Sequence, residues 1–148
     1  MTAITTHAAE FFNLRTPYLE QGRTTDVRAK TELLSVTAKV YAEGGENAMH
    51  NHPTEDHAFI VLEGEATFHI ESDQQTRIVH RYEGVMLPKG VNYWFLSSGD
   101  QNLVMVRVGA WHPGRRGRLT PEGREIPGDS LENKEVERIE RSGVGFGE

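Results

Sequence analysis

Between Leu34 and Tyr41, four aliphatic residues (Leu34, Val36, Ala38 and Val40) alternate with Ser35, Thr37, Lys39 and Tyr41. A period of two is the pattern of a half-buried strand, and Gly44-Gly45 ends the run. Short segments rich in β-branched and aromatic residues follow at Ala58–Leu62, Ala66–Ile70, Arg77–Tyr82, Val91–Leu96 and Leu103–Trp111, separated by Gly, Asp, Asn and Ser. No helical periodicity interrupts them. That argues against a parallel α/β sheet and for an all-β sandwich or barrel.

A chain of 148 residues is long enough for one core of ordinary size and too short for two. By texture it divides into an N-terminal arm over 1–30, a β-barrel over 31–112 and a charged tail over 113–148. The arm carries an aromatic patch at Phe11, Phe12 and Leu14. In the tail, Asp129-Ser-Leu-Glu132 has capping-box spacing, and Leu131, Val136 and Ile139 could line a short helix ending near Ser142-Gly143. Glu137 and Arg141 would then form an i,i+4 pair; the alternative is a solvated tail with marginal helicity.

Sixteen Lys and Arg against 22 Asp and Glu leave a net charge of -6, so no cation surplus exists for a nucleic-acid backbone. The sequence has no cysteine, which removes disulfide scaffolds, thiolate metal sites and thiol nucleophiles together. Any metal must be held by His, Asp, Glu or Tyr. No apolar run of about 18 residues is present to span a bilayer, and the first residues lack the basic start and apolar stretch of a secretory signal. The expectation is a cytoplasmic protein that binds neither nucleic acid nor membrane.

Three of the seven histidines fall in His50-Asn-His52-Pro-Thr-Glu-Asp-His57. On a strand, His50 and His52 project from one face, which lets two imidazoles reach one ion at about 2.0–2.1 Å. Pro53 turns the chain, and a hairpin then returns His57 as a third donor. The alternative is three surface histidines in a polar loop.

This segment resembles the first motif of the cupin superfamily: a Gly, His-x-His, a carboxylate and a second Gly at set intervals. Gly44 stands six positions before His50 and Gly64 seven after His57, while His57 takes the place of the family's Glu. Asp56 fits the shorter interval and ranks second to His57 as third ligand. Glu83-Gly-Val-Met-Leu-Pro88-Lys-Gly90 resembles the middle of the family's second motif, with Tyr93 at the position of its metal-binding His and Ser97 at that of its Asn. The resemblance implies an antiparallel double-stranded β-helix, or jelly-roll barrel. It also implies a divalent ion (Fe, Zn, Ni or Mn) held by His50, His52 and His57 inside the barrel. Dioxygenases, isomerases, cyclases, lyases and decarboxylases all occur in the family.

Three neutral imidazoles would leave the ion its full double charge, favouring an anionic or chelating small-molecule ligand that it polarises as a Lewis acid. Tyr93 shares strand parity with Phe95, so its hydroxyl is expected at the metal or at the substrate, or else satisfied within the core. Glu55 is a candidate general base or a solvated loop residue. Phe59 and Val61 keep the parity of His57 and are expected to wall the pocket with Phe95. Arg107, in the apolar run Leu103–Val108, either meets an anionic substrate or faces outward; His69 and His80 are expected at the surface or in the core. The loss of the family's Glu and second-motif His leaves a second hypothesis open: a barrel that stores or senses a metabolite without transforming it. Because a lone barrel must cover its sheet edges, and Phe11, Phe12 and Tyr18 offer apolar surface, a homodimer is expected.

Overall fold

The computed structural model of the chain describes residues 8–42, 44–45, 48–127 and 136–148. Its strands are β1 (Leu19–Gln21), β2 (Asp26–Lys30), β3 (Leu34–Tyr41), β4 (Gly44–Gly45), β5 (Glu55–Glu63), β6 (Ala66–Ile70), β7 (Thr76–Val79), β8 (Gly84–Leu87), β9 (Tyr93–Ser97), β10 (Leu103–Trp111) and β11 (Ile139–Glu140). Among the described residues there is no helix. A five-stranded sheet runs β2-β3-β10-β5-β8 and a four-stranded sheet β4-β9-β6-β7, and all their pairings are antiparallel.

The two sheets face one another. Tyr41, Phe59, Val61, Leu87, Leu103 and Met105 from the first pack with Ala66, Phe68, Val79, Tyr93 and Phe95 from the second in one core. Aromatic edges carry much of that contact: Tyr41 and Phe95 lie 5.0 Å apart centroid to centroid, Phe59 and Phe68 5.5 Å. A second, smaller cluster lies on the outer side of the five-stranded sheet, where Leu19 of β1 covers Val40 and Val104.

The pattern in β3 located the strand but inverts at its faces. The polar set, Ser35, Thr37 and Lys39 with Tyr41, is buried, while Leu34 at the strand's start is exposed. The aliphatic Ala38 and Val40 are also buried, because β1 and the arm cover that side. Both faces of β3 are therefore inside, and alternation marks the character of each face rather than which one is wet.

Other expectations change at element ends. Gly44-Gly45 forms a short strand paired to Leu96 and Ser97 of β9, not merely a terminator. The Arg77–Tyr82 run ends at Val79, and Tyr82 sits in a turn at φ +69°. The segment read as an arm supplies β2, the edge strand of the large sheet. In the tail, Ile139–Glu140 is extended and pairs with β1, and Arg141 donates its amide to the Tyr18 carbonyl, so no helix runs through Ile139 to Ser142. The capping-box residues Asp129 to Glu132 lie outside the described residues. Over Ile139–Glu140, pairing with β1 satisfies the backbone.

Gly64 makes the β5–β6 turn. At φ +79° a Cβ there would stand 2.5 Å from the Asn102 carbonyl oxygen, whereas Gly90, at φ +83°, has nothing within 4 Å of that position. Gly90→Ala should cost about 1–2 kcal/mol, the strain of a left-handed residue alone, and Gly64→Ala measurably more because backbone must also move. Urea unfolding of the two variants side by side tests this; equal losses would show that the turn relaxes freely.

Candidate metal site

The His-x-His segment is clamped on both sides. His50 bridges Tyr93 of β9 through backbone hydrogen bonds of 3.1 and 2.8 Å, and Asn51 exchanges bonds of 2.9 and 3.0 Å with Leu119. Gly90 donates its amide to the His52 carbonyl at 3.0 Å, tying the second motif to the first. Pro53 and Thr54 then turn the chain into β5, where Glu55, His57 and Phe59 alternate onto the inward face. Asp56 falls on the opposite face, 2.7 Å from His112 and accepting the Lys89 amide at 2.8 Å. It is turned away from His50, His52 and His57.

His52, Glu55 and His57 each offer a ligand atom, and these atoms lie within 4.8 Å of one another. His57 Nε2 is 2.9 Å from Glu55 Oε1 yet not aligned with it for a hydrogen bond, so the nitrogen is buried without one. That is the environment a shared cation would satisfy. His50 stands beside this group, its ring 5.1 Å from that of His52 and outside the tight set. Its Nδ1 meets the Ala48 carbonyl at 2.7 Å; a carbonyl only accepts, so the proton is on Nδ1 and the Nε2 lone pair is available. Two imidazoles and a carboxylate suit Fe(II), Mn or Zn. The sequence reading of His50, His52 and His57 as the trio omits Glu55, which the structure brings into the cluster. The signal was present, since Glu55 shares strand parity with His57.

Room for Glu55 comes from β10. Gly109 is the register partner of His57, and a Cβ at Gly109 would lie 2.5 Å from Glu55 Oε1. Burial works to raise the Glu55 carboxyl, but His57, the charge of Arg107 and the Trp111 indole outweigh it and hold it below the usual range. Burial pushes His50 down to about 4, against the pull of the Ala48 carbonyl. It pushes His52 to about 2, helped by the neighbouring imidazoles His57 and His50. His57 is also lowered, burial outweighing Glu55. All three imidazoles are therefore neutral donors at pH 7. Tyr93 is fully inside; desolvation raises its phenol, which stays protonated, and its hydroxyl lies 3.5 Å from His57 Nδ1.

His50, His52 and Tyr93 open into a cavity of about 310 Å³ lined with them by Phe59, Phe95 and Arg107, and also by Arg23, Thr25, Lys39, Tyr41, Trp94 and Arg118. Arg107 thus faces inward. Val61 does not reach the cavity and is wholly buried in the core one pleat deeper than Phe59. His69 stacks on Trp94 at 4.0 Å, and His80 is exposed 3.5 Å from Glu65; neither joins the cluster. The cations at Arg23, Lys39 and Arg118 were not anticipated, because each comes from a segment remote in sequence from the histidines. A larger groove of about 490 Å³ lies outside, lined by Arg115, Glu125 and Ile126 among others, and contains no histidine.

Residues 39–109 match the family model for the cupin domain. Among solved structures, a conserved protein with a double-stranded β-helix domain from Klebsiella pneumoniae is 22% identical, with a TM-score of 0.61 over 76% of this chain and 96% of that one. An RmlC-like cupin family protein from Methanocaldococcus jannaschii is 20% identical, with a TM-score of 0.57 over 74% and 94%. KdgF from Halomonas sp. is 14% identical, with a TM-score of 0.60 over 72% and 96%. At these identities the likeness is one of fold. Comparison with curated proteins found no match. The matched segment runs from the last residues of β3 into β10 and contains His50, His52, Glu55 and His57; over it the chain is similar to cupin domains, and its fold is that of the double-stranded β-helix structures.

Proposed function

We propose that this chain is a metal-dependent cupin acting on a small oxygen-rich metabolite, with a divalent ion held by His52, Glu55 and His57 and reached by His50. The observation that carries the reading is the set of ligand atoms within 4.8 Å of one another, one of whose members, His52, borders a cavity of about 310 Å³. Such an ion supplies Lewis-acid polarisation of an oxygen donor at neutral pH. The chain's own residues do the rest. Burial keeps the imidazoles unprotonated, the Ala48 carbonyl fixes the His50 tautomer, and Phe59 and Phe95 exclude water from one wall. The neutral Tyr93 hydroxyl, at 3.5 Å from His57 Nδ1, steadies that ring and is a donor toward negative charge developing in the cavity. Glu55 serves here as a ligand rather than a free base, because its carboxylate is engaged beside His57. With that carboxylate counted, a divalent ion keeps one net positive charge at the cluster.

Elemental analysis of purified variants tests the ligand set. His52→Ala, Glu55→Ala and His57→Ala should each cost most of the bound metal, since each removes a donor from the close set and leaves His50 with only two of its members, while Asp56→Ala should retain it. Loss of metal in the Asp56 variant with retention in His57→Ala would overturn the assignment.

The same histidines make the metal-free protein sensitive to acid. In the unfolded chain they take up protons near 6.5, whereas folded His50 does so only near 4, so protons favour unfolding between those values. For His50 alone the loss across that window is about 3 kcal/mol. Stability measured after chelator treatment should fall steeply from pH 6.5 to 4, and added metal at pH 7 should raise Tm. A flat profile would mean that the imidazoles are solvated.

A homodimer is part of the proposal. Phe11 is 96% exposed and Phe12 48%, while Tyr18 is engaged within the chain, its hydroxyl donating to Glu63 Oε1 at 2.7 Å. Sedimentation at micromolar concentration should give a dimer that weakens when Phe11 and Phe12 are both changed to Ser. A monomer throughout would remove the dimer from the reading.

A further inference from the structure

Three rows of side chains cross the inner face of the large sheet, fixed by the register of β10. Ser35, Gly109 and His57 form the first, Thr37, Arg107 and Phe59 the second, and Lys39, Met105 and Val61 the third. The guanidinium therefore originates one pleat repeat, about 7 Å along the strands, from the row that holds His57. Arg107 lines the cavity with its Nε buried and without a hydrogen-bond partner, and the Oγ1 of its register partner Thr37 is in the same condition. Among the described residues no carboxylate comes within ion-pair distance of it. Its charge nevertheless reaches His52, Glu55, His57 and Tyr93 across the cavity.

A guanidinium directed into a barrel is costly unless something anionic meets it. The cavity's described lining offers Arg23, Lys39, Arg107 and Arg118 as cations and no carboxylate. The rest of the wall is largely aromatic, from Tyr41, Phe59, Tyr93 and Phe95, which accepts a short carbon skeleton. A planar guanidinium fits a carboxylate through two parallel hydrogen bonds. A phosphate is the poorer fit, since no helix N-terminus is present among the described residues to supply backbone amides.

We propose that the ligand is a small hydroxy- or oxo-carboxylic acid held at two points, its carboxylate on Arg107 and its hydroxyl or carbonyl oxygen turned toward His52, Glu55 and His57. The oxygen-donor end rests on the metal reading given above; the carboxylate end does not.

Calorimetric titration separates the two ends. Glycolate, lactate, malate and 2-hydroxyglutarate are each compared with the corresponding amide, using protein loaded with Mn²⁺ and protein stripped by chelator. In both forms at least one acid should bind tenfold or more tightly than its amide. Arg107→Gln should erase that preference and Arg107→Lys should restore part of it. Carboxylate preference below twofold throughout the panel, measured on the unaltered protein and so independent of any folding defect, overturns the proposal; so does an Arg107→Gln variant that keeps the preference. If the preference depends on Arg107 in stripped protein while Mn²⁺ never binds, the carboxylate site stands and the metal reading falls.

Discussion

The register of β10 between β3 and β5 is the constraint on which the site depends. Eight consecutive residues of β10 are paired with β3, and the same strand meets β5 from Glu55 to Glu63. Because side chains alternate across a strand, a slip of one residue would send His57, Arg107 and Lys39 outward and bring Asp56 and Val108 in. The apolar residues that share the correct face, Phe59, Val61, Leu103 and Met105, hold the register, since exposing them would cost about 1.5–3 kcal/mol each. The site's geometry is thus maintained by a hydrophobic core lying deeper in the same barrel.

That arrangement explains what the sequence could and could not reveal. Period two and turn residues located β3, β6 and β10 because these strands carry strong alternation or apolar character over several residues. The short strands β1, β4 and β11 were not legible: two or three residues give no period, and their pairing is decided by neighbours far along the chain. The face assignment of β3 was beyond reach for a related reason. Ser35, Thr37 and Lys39 look like a solvated face until a second sheet is known to cover them.

The site was partly legible. His52 and His57 stand in one short stretch, and the parity of β5 puts Phe59 on the inward face, where it lines the cavity. The same parity applies to Glu55, but a carboxylate two residues after a proline reads as a loop residue until the turn is known to end at Thr54. Lys39 and Arg118 enter the cavity from segments that only the folded topology brings near the histidines, as the Asn51–Leu119 bridge does for the latter.

Net charge and local charge oppose one another in this protein. The chain carries -6 overall, yet the cavity's described lining holds four cationic side chains. Potential inside a concave, low-dielectric site follows the nearest fixed charges, because solvent and salt screen remote surface groups over about 10 Å or less. The same cations depress the imidazoles: Arg107 and Arg118 each work to lower His52, alongside burial and the other two rings. Neutral imidazoles are thus one consequence of a cavity lined by cationic side chains. Replacing Arg107 by a neutral residue would leave burial, already the largest cause, keeping the rings unprotonated, so the imidazoles would remain neutral donors without it.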